Sequence, residues 1–288
     1  MTTPISTRLT AINPVWLVLV SIVSVQVGAS FAKQLFVATT PHATAWLRLV
    51  FASLIFLVIA RPRVTGRPRR DWAIVLAYGA ALAGMNWAIY LSFSRIPIGL
   101  AVTIEFLGPL AVAVWGSRRP RDLLWVALAG LGVMLLGFQP TAVDWIGVGL
   151  ALLAGALWAG YIVLAGPTGR RWEGVTGVTV ANVVGAVAMT LPALSLGTPA
   201  FTWPILGVAA VVGLLSSVIP YGLEMIALRR ITPGVFGILM SLEPAAAALA
   251  ALVVLDEQLA VVEWLAMGCV VIASAGATRG RSPQAPID

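Results

Sequence analysis

Charged residues are scarce in this chain: only 10% of its 288 residues are Asp, Glu, Lys or Arg, while 60% are hydrophobic. A soluble globular domain carries roughly a quarter charged residues, so this scarcity excludes one. The mean hydropathy of +0.98 is typical of a protein that crosses the lipid bilayer several times. We therefore predict a multi-pass membrane protein.

Groups that hold metals or perform covalent chemistry are also nearly absent. The single cysteine, Cys269, excludes an internal disulfide and is predicted to be a small packing residue. The single histidine, His42, has no cysteine or second histidine to join it in a zinc or haem site. The apolar segments hold no Ser/His or Cys/His pairing and no paired aspartates, which disfavours an intramembrane enzyme. We predict no metal, no cofactor and no enzymatic activity.

Ten apolar segments approach the length of about 20 residues that a helix needs to cross the hydrocarbon core. They are residues 14–36, 41–60, 72–93, 98–115, 123–138, 145–166, 174–194, 203–228, 234–255 and 259–278. Several connections between them are very short, so consecutive helices are expected to be antiparallel neighbours. The predicted fold is an all-α integral membrane protein of ten transmembrane helices.

The positive charges indicate how these spans are oriented. If the N-terminus is cytoplasmic, the inner segments hold 15 of the 18 Lys and Arg residues, and the outer loops hold only Arg95. Such an asymmetry predicts that both termini are cytoplasmic. The formal net charge of +7 is therefore explained by topology, and no nucleic-acid partner is needed.

An internal repeat is visible when the chain is aligned with itself so that Gly234 falls on Gly99. The same offset, without a gap, aligns Arg95-Ile96 with Arg230-Ile231, Leu107 with Leu242, and Pro109 with Pro244. With five spans in each half, the two copies would be inverted, and inverted repeats place a substrate site near the membrane midplane. We predict a first five-helix repeat at 1–140, a second at 141–278, and a cytoplasmic tail at 279–288.

Five ionisable side chains lie inside the predicted spans: Lys33, Arg48, Glu105, Glu224 and Glu243. Burying a charge in hydrocarbon costs at least ~2.5 kcal/mol, so such residues usually have a function. Lys33, Arg48 and Glu105 lie within roughly 5–12 Å of the outer helix ends and are predicted to form one charged cluster. Glu243 is expected nearer mid-depth and Glu224 nearer the cytoplasmic face.

Two interpretations of these charges stay open. In one, they bind a zwitterion, with cations for its carboxylate and acids for its ammonium group, and Glu105 or Glu243 also exchanges a proton for substrate. In the other, Lys33 or Arg48 forms a fixed ion pair with Glu105 between helices. Lys33 could also extend its ammonium group to the outer interface.

Polar and aromatic residues on shared helix faces are further candidates for binding substrate or proton. They are Asn86 with Tyr90, Trp158 with Tyr161, and Tyr221 with Glu224; hydrogen bonding or packing between helices is the alternative for each. Three prolines are predicted to kink their helices: Pro109, Pro220 and Pro244. Because proline has no N–H, Pro109 leaves the Glu105 carbonyl without its helical partner.

Six stretches carry a family resemblance: GASFAK (28–33), GMNWAIYLSF (84–93), AVTIEFLGPLAVAVWGSRRP (101–120), GALWAGYIVL (155–164), PYGLEMIAL (220–228) and LMSLEPAAAAL (239–249). They resemble the drug/metabolite transporter superfamily, EamA type, and within it the branch of inner-membrane threonine and homoserine exporters. The resemblance extends over nearly the whole chain. One departure is Asp256, because the family's short acidic motif has a glycine before its glutamate, here Glu257.

The resemblance implies a ten-helix inverted-repeat exporter of small amino acids in the bacterial inner membrane, driven by the proton gradient. It also implies a cavity lined by spans one to four and six to nine, with spans five and ten as packing elements at a homodimer contact. A broader metabolite or drug exporter is the alternative. A cavity lined by aromatic side chains and free of contacts from Lys33 and Arg48 would favour that alternative.

Overall fold

A computed structural model of the chain describes residues 12–62, 64–117, 122–135, 144–172, 175–195, 201–228, 230–231 and 233–279. Every regular element within these ranges is helical, which confirms the predicted all-α fold class.

Thirteen α-helices follow one another along the described residues: α1 (Pro14–Leu35), α2 (Pro41–Ala60), α3 (Arg69–Phe93), α4 (Ile98–Glu105), α5 (Leu107–Ser117), α6 (Asp122–Leu135), α7 (Trp145–Arg171), α8 (Thr176–Ser195), α9 (Trp203–Gly213), α10 (Ile219–Leu228), α11 (Pro233–Met240), α12 (Glu243–Leu255) and α13 (Val261–Arg279). A π-helical turn at Leu214–Val218, here called the π-segment, joins α9 to α10.

Seven helical segments of the described chain are long and apolar enough to cross a membrane, judged by length and composition. Three shorter apolar helices, Ile98–Val112, Leu123–Gly132 and Val261–Ala277, lie where the fourth, fifth and tenth spans are predicted. The chain is therefore a multi-pass membrane protein, and the count of ten spans stays a prediction.

Helix starts follow the local sequence. At α2, the Thr40 hydroxyl accepts a hydrogen bond from the Ala43 N–H at 3.1 Å, and Pro41 occupies the first turn, where its missing N–H costs nothing. At α7, the Asp144 carboxylate accepts from the N–H groups of Ile146 and Gly147. These caps satisfy backbone donors that have no partner inside the helix.

Three of the predicted spans are not single uninterrupted α-helices. The fourth breaks at Phe106 between α4 and α5, the ninth breaks between α11 and α12, and the eighth contains the π-segment. The prolines explain the positions, because each lacks the N–H that would bond the carbonyl four residues earlier. Pro109 thus leaves Glu105 at the end of α4, and Pro244 leaves Met240 at the end of α11.

The offset that aligns the two halves of the sequence also relates their helices. It carries both bounds of α2 onto those of α8, both bounds of α4 onto those of α11, and the end of α3 onto the end of α10. The packing recurs too: α3 packs on α7 as α10 packs on α1, and α5 packs on α7 as α12 packs on α1. Within the described residues, two helices of the first half thus share their bounds with helices of the second under this offset, and two helix contacts recur. The division into two five-helix repeats stays a prediction.

Candidate functional site

A cavity of about 470 Å³ lies among the helices of both halves. Nine of the ten predicted site residues line it: Arg48, Asn86, Tyr90, Glu105, Trp158, Tyr161, Tyr221, Glu224 and Glu243. Pro109 and Pro220 line it as well, whereas Lys33 and Pro244 do not. Residues far apart in the sequence are thus brought to one site.

The helices around the cavity differ from the expected set in one respect. No described residue of α8, the seventh predicted span, lines the cavity, while Ser274 of α13, the tenth, does. α8 packs instead behind α2 and α3. The expectation that span seven lines the cavity and span ten does not was therefore wrong.

Arg48 is held in place by the π-segment. Its Nη2 donates to the Ser216 carbonyl at 2.6 Å, its Nε donates to the Ser217 hydroxyl at 3.2 Å, and its Nη1 approaches the Tyr90 hydroxyl at 3.5 Å. Pro220, four residues after Ser216, has no N–H to donate to the Ser216 carbonyl. The π-segment before this proline thus contains the backbone acceptor for the buried guanidinium.

The predicted ion pairs with Glu105 are not the ones that form. None of the ion pairs among the described residues involves Arg48 or Glu105. Arg48 still acts on Glu105 through its charge, since the two lie within electrostatic range of each other. The fixed-pair interpretation was therefore wrong for both cations, and Arg48 and Glu105 face the cavity as separate groups.

Glu105 ends α4 at a point where that helix packs closely on α7. A Cβ atom on Gly155 of α7 would lie only 2.6 Å from the Glu105 carbonyl oxygen, so glycine is needed there for the helices to approach. The carbonyl that Pro109 frees is consequently covered by α7. Only the Glu105 side chain, 8% exposed, faces the cavity.

Glu243 occupies the first turn of α12, where Pro244 is the second residue. An acidic side chain at a helix N-terminus interacts favourably with the exposed N–H groups and the helix dipole. The Gln26 side chain of α1 lies against the Glu243 carboxyl, and Glu224 and Glu105 are within its electrostatic range. Pro244 therefore lies directly after the break in the ninth span, in the first turn of α12, and the Glu243 side chain lines the cavity.

The third acid, Glu224, is tied to α1. Its Oε1 accepts a hydrogen bond from the Ser21 hydroxyl at 2.5 Å. Tyr221, three residues earlier, lines the cavity together with Tyr161, and Tyr161 stacks on Tyr78 with ring centroids 4.5 Å apart. Aromatic rings therefore bound this part of the cavity.

Lys33 lies outside the cavity, so its predicted place in the charged cluster was wrong. Its ammonium group pairs with Glu257 Oε1 at 2.5 Å and donates to the Ile96 carbonyl at 3.2 Å. Glu257 Oε2 in turn accepts from the Ile98 N–H at 3.0 Å. Lys33 lies near the end of α1, so its side chain reaches the loops before α4 and after α12 instead of the cavity. Its two contacts join the end of α1 to both loops.

Four polar residues of the site were missed by sequence reasoning. Gln26, Ser216 and Ser274 line the cavity, and Ser217 holds Arg48. Three of them had a signal in the sequence, since Gln26 interrupts an apolar run and the two serines of the π-segment precede Pro220 by three and four residues. Their side chains are uncharged, so the cost of burying a charge in the membrane does not single them out.

Known proteins resemble this chain over almost its full length. A model of the EamA-like transporter family matches residues 145–279. The threonine/homoserine exporter RhtA of Escherichia coli strain K12 is 41% identical over 274 residues, which cover 92% of each chain. The chain belongs to the EamA-like transporter family. RhtA of Salmonella typhimurium strain LT2 matches this EamA-like chain with the same identity and coverage.

One solved crystal structure supports the fold of this EamA-like protein. It superposes with a TM-score of 0.60 at 17% identity, covering 93% of this chain and 98% of the other. At that identity the likeness concerns the fold alone. Because EamA-like proteins are transporters, the prediction that the chain is not an enzyme is confirmed, as is its place in the membrane.

Proposed function

We propose that this protein is a secondary active exporter of small amino acids such as threonine and homoserine, working by proton antiport in the bacterial inner membrane. The observation that carries the proposal is the cavity with one guanidinium and three carboxyl groups, in a chain 41% identical to proteins named threonine/homoserine exporters. The substrate class is taken from the names of these relatives, and the charged groups of the cavity are of the kind that binds an amino-acid zwitterion.

Arg48 is suited to bind the substrate carboxylate. A guanidinium has five N–H donors in a planar fork that matches a carboxylate, and three donors suffice for the contacts with Ser216, Ser217 and Tyr90. Arg48 is also free of any ion pair among the described residues. A substrate carboxylate in the cavity can therefore supply the missing negative partner.

The three acids favour a cationic partner. Glu105, Glu224 and Glu243 share one cavity with Arg48, whose guanidinium is the only one among the described lining residues, and buried carboxylates are costly unless a cation or a proton joins them. A zwitterion contributes an ammonium group, and an antiported proton serves the same purpose in the empty carrier. Glu105 and Glu243 remain the proposed proton carriers.

Alternating access would follow from the repeat. Recurring helix bounds and recurring helix neighbours support two related halves, and the charge asymmetry supports ten spans with the halves inverted and both termini cytoplasmic. In that orientation the Lys33–Glu257 pair closes the outer side, above the buried rings of Tyr90 and Phe93. Lining residues nearer the cytoplasm are partly exposed, so the cavity would face inward.

A broader metabolite or drug exporter is the alternative function. It is favoured by the aromatic lining and by the position of Lys33 outside the cavity, but Arg48 inside the cavity favours an amino acid.

A homodimer would use α6 and α13, which pack along each other and carry exposed apolar side chains such as Leu124 and Leu265. Those side chains suit lipid equally well.

The experiment is transport of threonine by purified protein in proteoliposomes with and without a pH gradient. Glu105→Gln and Glu243→Gln are tested singly, with Glu263→Gln as the matched control, because Glu263 is a buried acid on α13 that caps the Ala260 N–H outside the cavity. We expect one or both cavity variants to lose the pH-gradient dependence while still exchanging threonine. Full gradient-driven transport by both would refute the proton role of these acids.

A further inference from the structure

Three buried side-chain oxygen atoms in the cavity wall have no hydrogen-bond partner among the described residues. One is the hydroxyl oxygen of Ser216 in the π-segment, and the other two are Oε1 of Gln26 on α1 and Oε2 of Glu243 on α12. Gln26 and Glu243 are 2% and 6% exposed, and their side chains lie against each other. An unpaired buried acceptor destabilises the fold, so two that belong to neighbouring side chains in one cavity wall are expected to have a function.

The chemistry of the pair selects a ligand class. Both free atoms are hydrogen-bond acceptors, and one belongs to an acid. An ammonium group has three N–H donors and a positive charge, so it can satisfy both oxygens and offset the charge of Glu243. A hydroxyl has only one proton to donate, and a carboxylate would be repelled by the acid.

We infer that Gln26 Oε1 and Glu243 Oε2 together bind the α-ammonium group of the substrate. This assignment rests on the proposed export of amino acids and adds to it a residue, Gln26, that determines specificity. With Arg48 for the carboxylate, the two subsites orient the zwitterion in one direction. Gln26 then selects α-amino acids over the corresponding α-hydroxy acids.

The test compares L-threonine with 2,3-dihydroxybutyrate, in which a hydroxyl replaces the amine and the carboxylate is kept. Each is used to inhibit exchange of radiolabelled threonine in proteoliposomes that contain wild type, Gln26→Met or Gln26→Asn. Gln34→Met is the matched control, because Gln34 lies on the same helix and bonds the Val254 carbonyl at 3.0 Å away from the cavity. Size-exclusion profiles check that every variant is folded.

We expect Gln26→Met to weaken threonine inhibition roughly tenfold or more, the usual effect of losing a hydrogen bond to a charged group. The inhibition constant of 2,3-dihydroxybutyrate should stay within about twofold of the wild-type value, so the variant should lose most of the preference for the amine over the hydroxyl. Gln26→Asn should give an intermediate loss, and it carries the comparison if the methionine variant does not fold. Gln34→Met should change neither ligand.

Two results would overturn the assignment, and they differ from a failure of the proposed function. An equal loss for both ligands would make Gln26 a purely structural contact to Glu243, and no loss for either would remove it from the binding site. If wild-type protein exchanges no amino acid but exports a cationic drug, the substrate class itself is wrong and the ammonium subsite falls with it.

Discussion

Replacing Arg48 with glutamine removes the single guanidinium that lines the described cavity, and the structure indicates how much this should matter. A hydrogen bond to a charged group contributes about 1.5–3 kcal/mol, and each 1.4 kcal/mol corresponds to a factor of about ten in affinity. If the substrate carboxylate gains at least one such bond from Arg48, the variant should bind threonine roughly ten- to a hundredfold more weakly.

The substitution has a second effect, on the fold. Glutamine is shorter than arginine and has a single NH2 group, so it cannot replace the contacts with the Ser216 carbonyl, the Ser217 hydroxyl and Tyr90 together, and at least one of these buried groups loses its partner. A buried acceptor left without a partner costs about 1–3 kcal/mol. Thermal unfolding in detergent should therefore show a lower free energy of unfolding, separately from the change in binding.

Threoninamide separates the two effects, because it keeps the ammonium group and lacks the carboxylate. Exchange assays with wild type and Arg48→Gln should show a large loss for threonine and a small one for threoninamide. Arg95→Gln is the matched control, since Arg95 forms an exposed pair with Asp144 at 3.1 Å and such surface pairs contribute little. Equal losses for threonine and its amide would refute the role of Arg48 in carboxylate binding.

Three further predictions concern the scaffold. In thermal unfolding, Gly155→Ala should lower the free energy of unfolding by roughly 1–3 kcal/mol, because the added Cβ would meet the end of α4. Gly160→Ala on the same helix is the control and should leave the stability unchanged, because its Cβ would meet nothing within 4 Å. Asp256→Gly should stabilise by up to about 1 kcal/mol, since Asp256 has a left-handed φ of 55°; unchanged thermal stability would contradict this. The N–H of Gly147 holds the pKa of Asp144 below its usual value. The ionised Asp144 carboxylate should therefore contribute fully to stability above the unfolded pKa of ~3.9, and this contribution should be lost as the pH falls through the lower folded pKa. The same pH dependence should be absent from unfolding curves of Asp144→Asn.

The sequence was sufficient for the features that depend on composition and short-range chemistry. Scarce charge and long apolar runs predicted the helical membrane protein, and the cost of burying a charge identified Arg48, Glu105, Glu224 and Glu243 as residues to examine. All four line the cavity. The missing N–H of proline also predicted where helices would be interrupted, although not that Pro220 would be accompanied by a π-helical turn.

The remaining features depended on tertiary packing. Lys33 has the same sequence signal as Arg48, an isolated cation in an apolar span, and only the position of Glu257 after α12 shows that it belongs to a loop contact. Gln26 is uncharged, so the cost of burying a charge, which identifies the acids, does not distinguish it from its neighbours. The left-handed conformation of Asp256 explains why the family motif has glycine there.

The most direct test of the account is simultaneous measurement of threonine flux and internal pH in proteoliposomes containing the wild-type protein. Export coupled to protons predicts that an imposed pH gradient drives threonine against its own gradient, that threonine added alone moves protons in the opposite direction, and that both signals disappear in Arg48→Gln. Threonine movement that leaves internal pH unchanged would contradict the antiport, and no movement of threonine or homoserine at all would contradict the central claim.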